Sequence, residues 1–356
     1  MTMRDFSCFR DAAVTTVSSS SAAAAADAHH LDRSLQAATS CVYRAALASS
    51  SKELLVTVTW TRSLANATVT DAAATPGATG LSLAVQDVLP LAAPKHLIPP
   101  SSATATPRRS SMPPLTPPTP QSQHKMQLQT KRRGSRSFVT EGGTAVAVHW
   151  DTSNAKYPSP SCPEPCGEYH LAVVADGELA LLLGTGVGPD ISRRFGTAPR
   201  PVLVSRREQL RAPPPATPTH SPTCAAVAHS TRCRFRDGGA EHEVTVRCRG
   251  DRRAASADEG EVAVSVDGRT VVEARRVGWN FRGNRTAVLP DGAIVEVMWD
   301  VHDWWFATTG TGAAQFMVKA RGGGGGGGGG VWMDEEMASK GHPPAGFFLH
   351  MQCYRR

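Results

Sequence analysis

Helical periodicity is almost missing from this chain. No long stretch repeats apolar residues at the i, i+3, i+4 spacing of a core-facing helix; one turn at 191–195, behind a candidate cap at Asp190, is the exception. No run approaches the 18 or more apolar residues of a membrane span. The start, Met1-Thr-Met-Arg-Asp-Phe-Ser-Cys8, lacks the basic and then apolar plan of a secretory signal. The Gly-x-Ser-x-Gly, His-Glu-x-x-His and phosphate-loop signatures are absent. The eight cysteines show no framework spacing, which suits reduced thiols in an intracellular protein, cytoplasmic or nuclear. Without an export signal, the sequons at Asn66 and Asn284 read as chance matches. A net charge of +7 permits an anionic partner but does not demand one.

Large apolar residues are also scarce in several long segments. Residues 15–40 are Ala- and Ser-rich, 92–124 carry nine prolines, 211–223 are again Pro-rich, and 322–330 are an unbroken glycine tract. Such compositions cannot bury enough apolar surface to offset the entropy of ordering, so they are expected to be disordered linkers.

What remains is strand-like. Apolar and polar residues alternate at 55–60, 81–85, 146–150, 244–246, 262–266 and 295–299. Asp176-Gly177 and Asp267-Gly268 stand between such runs, and Asp-Gly is the pair a type I′ hairpin turn requires. Asp237-Gly238, Asp291-Gly292 and Gly142-Gly143 are expected to repeat the device. The fold class is antiparallel all-β.

Two stretches match at a constant offset of 149. Residues 134–151 and 283–300 share Gly, Arg, Val, Gly, Val, Val, Trp and Asp in register. Such a match implies a duplicated unit. The expected layout is two tandem sandwich- or barrel-like units. Residues 1–40 form a disordered lead, and 41–190 the first unit, with a Pro-rich insertion at about 89–125. A linker at 191–228 holds a strand near 201–210, 229–320 form the second unit, and 321–345 are a Gly-rich linker. Residues 346–356 supply the second unit's last strand.

Several motifs occur in one order along nearly the whole chain: Met3-Arg-Asp-Phe-Ser-Cys-Phe9, Ser40-Cys-Val-Tyr43, Val58-Thr-Trp60, Gly134-Ser-Arg-Ser-Phe138, Pro163-Glu-Pro-Cys166, Leu181-Leu-Leu-Gly184, Phe281-Arg-Gly-Asn284 and Trp299-Asp-Val-His-Asp-Trp304. In these the chain resembles the plant family defined by the domain of unknown function DUF868. The resemblance implies a plant protein and carries no activity or catalytic residues. This chain departs from it twice. Met126-Gln-Leu-Gln-Thr-Lys-Arg-Arg133 replaces an aromatic-rich stretch, and Gly184-Thr-Gly-Val-Gly-Pro189 replaces a longer helical segment.

The densest polar–aromatic cluster is Asp300-Val-His302-Asp303-Trp304-Trp305. If the strand continues, Asp300 and His302 share a face, and a carboxylate beside an imidazole can bind metal or move a proton. The first copy keeps Trp150-Asp151 and drops the His, which makes Trp-Asp architectural. Cys162-Pro-Glu-Pro-Cys166 lacks the further ligands of a zinc site and reads as a rigid turn. Gly184-Thr-Gly-Val-Gly188 lacks dinucleotide-loop spacing. The basic pairs near 132, 193, 206 and 275 lack the interleaved aromatics of nucleic-acid binders and read as solvated strand faces. Arg132-Arg-Gly-Ser135 and Arg108-Arg-Ser-Ser111 match basophilic kinase sites, which makes Ser135 and Ser111 candidate phosphorylation sites.

The leading reading is a non-enzymatic β-scaffold that binds a protein or, second, a small apolar ligand, with no cofactor, membrane span or nucleic acid. Trp304, Trp305, Arg282 and Arg285 are the candidate binding residues. One rival is an enzyme or metal site at Asp300, His302 and Asp303; another is a kinase-regulated adaptor acting through its basic linkers.

Overall fold

Each alternating run becomes a strand that buries every second side chain. A computed structural model describes residues 36–63, 79–88, 125–128, 132–159, 162–185, 201–211, 224–251, 260–307, 312–321 and 346–354. All belong to one compact unit, Ser34–Arg356. The glycine tract, most of the Pro-rich segments, the turn at 191–195 and Ser111 lie outside these residues.

The strands run in meanders. The first is β1 (Gln36–Ala46), β2 (Glu53–Ser63), β3 (Thr79–Asp87) and β4 (Lys125–Gln127). The second is β5 (Arg133–Val139), β6 (Ala145–Asp151), β7 (His170–Ala175) and β8 (Glu178–Leu183). A connecting strand, β9 (Val202–Arg211), leads to β10 (Cys224–Cys233), β11 (His242–Asp251), β12 (Gly260–Val266) and β13 (Arg269–Arg275). Then come β14 (Arg282–Val288), β15 (Ile294–Asp300), helix α1 (His302–Phe306), β16 (Ala313–Ala320) and β17 (Phe348–Tyr354). β1 and β10 therefore begin inside stretches whose composition reads as linker.

Three sheets result. One has nine strands in the order β14-β15-β16-β17-β9-β1-β2-β3-β4; the others are β5-β6-β7-β8 and β10-β11-β12-β13. Neighbours are antiparallel except for the parallel pair β17–β9. Each sheet keeps two terminal strands, so the barrel-like alternative does not hold.

One row of cross-strand partners on the large sheet reads Val297, Val318, Leu349, Arg206, Cys41, Val58, Leu83. The next reads Trp299, Phe316, Met351, Glu208, Thr39, Trp60, Leu81. The apolar residues on the β1–β3 side form one core with Val146, Val148, Trp150, Leu171, Val173 and Leu181 of the β5–β8 sheet. Those on the β15–β17 side form a second core with Val244, Val246, Val262, Val264 and Val272. Each fully buried Val or Leu contributes roughly 1.5–3 kcal/mol. The two cores meet at β9, where both rows turn charged.

The turns agree with the sequence in part. Asp176-Gly177 and Asp267-Gly268 hold φ of +48°/+84° and +51°/+75°, the two positive values a type I′ turn needs. At Asp291-Gly292 and Gly142-Gly143 only the second residue is left-handed. There the hairpin closes with a longer loop ending in a left-handed glycine. Asp237-Gly238 likewise has only its glycine in that region.

Candidate functional site

The β5–β6 and β14–β15 hairpins share one device. Gly134 lies opposite Trp150, and Gly283 opposite Trp299. A Cβ on Gly134 would stand 2.8 Å from the Trp150 ring, and one on Gly283 2.2 Å from the Trp299 ring. Each glycine therefore lets an indole lie across the neighbouring strand. One residue earlier, an arginine pairs with the aspartate after the tryptophan: Arg133 with Asp151 at 3.7 Å, Arg282 with Asp300 at 2.7 Å. The turns match too. Gly143 and Gly292 have φ of +79° and +80°, and their N–H groups donate to the Thr140 and Leu289 carbonyls at 3.0 and 2.9 Å.

Beyond Asp300 the strand does not continue, contrary to the expectation that Asp300 and His302 share a strand face. The Val301 N–H donates to the Phe281 carbonyl at 2.9 Å, and the chain turns into α1. Asp300 is already occupied: Oδ1 accepts the His302 N–H at 3.0 Å, and Oδ2 accepts Arg282 Nε at 2.7 Å. His302 Nδ1 lies 2.9 Å from Asp303 Oδ1, and its ring packs between Phe281 and Phe306. Among the described residues, no group of three His, Cys, Asp or Glu side chains is placed to hold a metal ion. The helical turn rolls Trp304 and Trp305 into the second core. Trp305 fills the notch left by Gly250 and Gly260, so neither tryptophan is presented for binding.

The candidates Arg282 and Arg285 stay exposed on β14. On the outer face of β14–β16, Arg282, Asp300 and Gln315 form one row, and Asn284, Met298 and Met317 the next. These six line an open groove of about 500 Å³. Arg285 makes no ion pair with any described residue. Trp279, just before β14, is 80% exposed. Ser135 is exposed on the edge strand β5, opposite His149. A second groove, about 590 Å³, lies over β5–β7 and is lined mainly by Phe138, Val139, Ala147, His149 and Val174.

The arrangement that sequence reading misses sits at β9. Glu208, its side chain 3% exposed, accepts from Arg206 Nε (2.5 Å) and Thr231 Oγ1 (2.7 Å), and shares a hydrogen bond with His229 Nε2 (2.6 Å). Arg206 also reaches Glu164 at 2.6 Å and the Cys41 sulfur at 3.5 Å. Burial would raise the Glu208 carboxyl, but His229, Arg206 and Thr231 outweigh it and hold the group at about 2. Burial pushes the Cys41 thiol up to about 12, which makes it inert as a nucleophile. The network joins the two cores: Glu164 comes from the first half, His229 and Thr231 from the second. The one signal for it in the sequence is a strand, 202–211, whose charges interrupt an apolar alternation. Arg206 is therefore not the solvated strand-face residue that its place in a basic pair suggests. Glu164 belongs to the Cys162-Pro-Glu-Pro-Cys166 turn, whose two cysteines are free.

Each half also ties its hairpin turn to a basic side chain at the start of its second strand. Lys52 donates to Asp176 (2.9 Å) and Thr144 (3.2 Å), and Thr144 donates to Asp87 at 2.6 Å. In the second half the buried His242 lies between Asp267 (2.7 Å) and Asp291 (3.3 Å). Gly184 needs no ligand to explain it: its φ is +94°, and a Cβ there would stand 2.1 Å from the Tyr169 carbonyl.

Among the described residues, no helix is long and apolar enough to cross a membrane. The chain matches no curated protein and no solved structure. The model of a plant protein family of unknown function, DUF868, matches residues 34–345, and the chain belongs to that family.

Proposed function

We propose that this chain is a non-enzymatic scaffold that binds a protein segment along β14 and the groove beside it. The observation that carries the reading is the groove of about 500 Å³ opening beside the terminal strand of the large sheet. One end of its lining is charged and amide-bearing (Arg282, Asp300, Gln315), and the other carries the partly exposed Met298, whose side chain adapts to varied apolar groups. An elongated, partly charged occupant suits this better than a compact apolar ligand. The Asp300–His302–Asp303 cluster gives an enzyme little support, because its aspartates serve a turn amide, an arginine and an adjacent imidazole.

The same reading takes the two halves as copies of one ancestral unit, with the borders at 41–190 and 229–320. Its support is the identical offset of the two hairpins, their Gly–Trp and Arg–Asp pairs and their turn geometry.

Peptides selected from a random display library on the full chain provide the test. Binders should lose at least tenfold in affinity on Met298→Glu, while the melting temperature stays within a few degrees. Binders indifferent to Met298→Glu, or a selection yielding none, would sink the proposal.

A further inference from the structure

The geometry points to strand addition: an extended acidic segment of a partner protein pairs with the open edge of β14. This rests on the binding reading above and specifies how, and by what chemistry, that site is filled.

Among the described residues, β14 ends the nine-stranded sheet and pairs with β15 alone. The Phe281 carbonyl accepts from Val301 N–H and the Leu289 N–H donates to Ala293, so both residues face β15. Narrow and wide pairs alternate along an antiparallel ladder, so 283, 285 and 287 face β15 as well. Residues 282, 284, 286 and 288 therefore turn their N–H and C=O groups outward. Among the described residues, no strand pairs with them.

Sheet proteins normally blunt such edges with bulges, proline or short length. Here β4 is only three residues long, β8 and β13 carry register shifts, and β10 lies against Glu208 through His229 and Thr231. β14 has no bulge and no proline, and its seven pairs with β15 are unbroken; its guard is charge of one sign, the exposed Arg282 and Arg285, which an acidic strand would neutralise. β5 is equally regular and carries an exposed arginine, Arg136, at the place of Arg285, but the groove beside it is lined mainly by apolar side chains.

Charge selects the occupant. Arg285 on β14 and Arg276 ahead of it make no ion pair with a described residue, and Arg282 keeps most of its side chain exposed beside Asp300. An incoming strand would set alternate side chains beside Arg282 and Asn284, towards Met298, and the others beside Arg285. Carboxylates among small apolar residues complement both faces. The exposed Trp279 offers an apolar platform where such a strand would pass β14's start.

The probe is a fluorescein-labelled dodecapeptide alternating glutamate and valine, titrated by anisotropy onto the full chain, with a lysine–valine peptide as the charge control. The glutamate peptide should bind, weaken as salt rises, and exceed the lysine peptide at least tenfold. Thr286→Pro removes one outward N–H and leaves the β14–β15 ladder intact, since proline is tolerated at such positions of an edge strand. It should cut affinity at least tenfold, whereas Ser137→Pro, the same position of β5, should leave it unchanged. Arg285→Glu should also cost at least tenfold, and it decides the matter if the proline variant does not fold. Unchanged binding by folded Thr286→Pro, or equal binding of both peptides, would overturn the inference. Loss on Met298→Glu but not on Thr286→Pro would leave the groove standing and sink strand addition; loss on neither would sink both.

Discussion

The β5–β6 and β14–β15 hairpins carry the same Gly–Trp pair, yet their tryptophans end in different surroundings. Trp150 is 5% exposed and belongs to the first core. The space left beside it, bounded by Trp60, Arg132 and Tyr157, is about 40 Å³. Trp299 is only half-buried; its indole N–H donates to the Asn280 carbonyl at 3.1 Å, and it borders the groove of about 500 Å³. The hairpin code does not set this difference; the segment beyond the aspartate does. After Asp151 the chain enters a loop whose Tyr157 closes the space, with Arg62 stacked 4.7 Å over its ring. After Asp300 it enters α1, which sends its own tryptophans into the core and leaves the groove open. Shared residues thus mark architecture, and the unshared sequel decides which half presents a surface.

The halves can be compared only because both lean on β9, so the largest predicted effect lies there. Glu208→Ala removes one partner of a buried charge network and leaves Arg206 short of its carboxylate. Such losses cost about 3–5 kcal/mol. Chemical denaturation of the full chain should show that loss, and Glu208→Gln, which keeps hydrogen-bonding capacity, should lose less. A cost below about 1 kcal/mol, the scale of an exposed pair, would show that the network does not couple the halves.

The tryptophans come next. Trp150→Ala should cost about 3–5 kcal/mol, the range for truncating a buried large aromatic, and the half-exposed Trp299→Ala about 1–2 kcal/mol. Equal costs would mean that partial exposure does not lessen the contribution of Trp299. The glycines sharpen the same point. A Cβ at Gly283 makes the closer approach, 2.2 Å against 2.8 Å at Gly134. Trp299 is only partly buried, so its ring has more room to give way than Trp150, which is held by its core. Gly134→Ala should therefore destabilise by about 2–3 kcal/mol and Gly283→Ala by about 1 kcal/mol, within the overpacking range. The reverse order in thermal melts would show that distance outweighs mobility.

Alternation and Asp-Gly turns make most strands legible, because a half-buried strand writes its burial with a period of two. The 149-residue offset points to the paired hairpins, since Gly, Trp and Asp answer to local sterics and turn chemistry. Three features are not legible. α1 hides within a five-residue run whose tryptophans continue the aromatic pattern of β15. The groove depends on partners brought from β14 and β16. The Glu208 network assembles β1, the turn before β7, β9 and β10, and no spacing in the sequence links Glu164 to His229. Sequence reading also keeps Trp304 and Trp305 as candidate binding residues, because an aromatic cluster looks the same whether it faces a core or a ligand.

The smallest effect separates the two sandwich ends by pH. A lysine, Lys52, holds the first half's turn. His242 holds the second. Burial disfavours its charged form, but the hydrogen bond to Asp267 and the nearby carboxylate of Asp291 outweigh that and raise its pKa. A raised histidine contributes stability that is full below its unfolded value, about 6.5, and is lost as pH climbs through the higher folded value. Asp267 and Asp291 are both lowered, so they stay ionised throughout that window and lose their contribution only in acid. The melting temperature should therefore fall modestly from pH 6 towards pH 8 in the wild-type chain. His242→Lys gives the second half the first half's cation and should flatten that slope, while Lys52→His should steepen it. If the slope is unchanged in His242→Lys, the pH response arises elsewhere, and the two ends are equivalent in kind as well as in place.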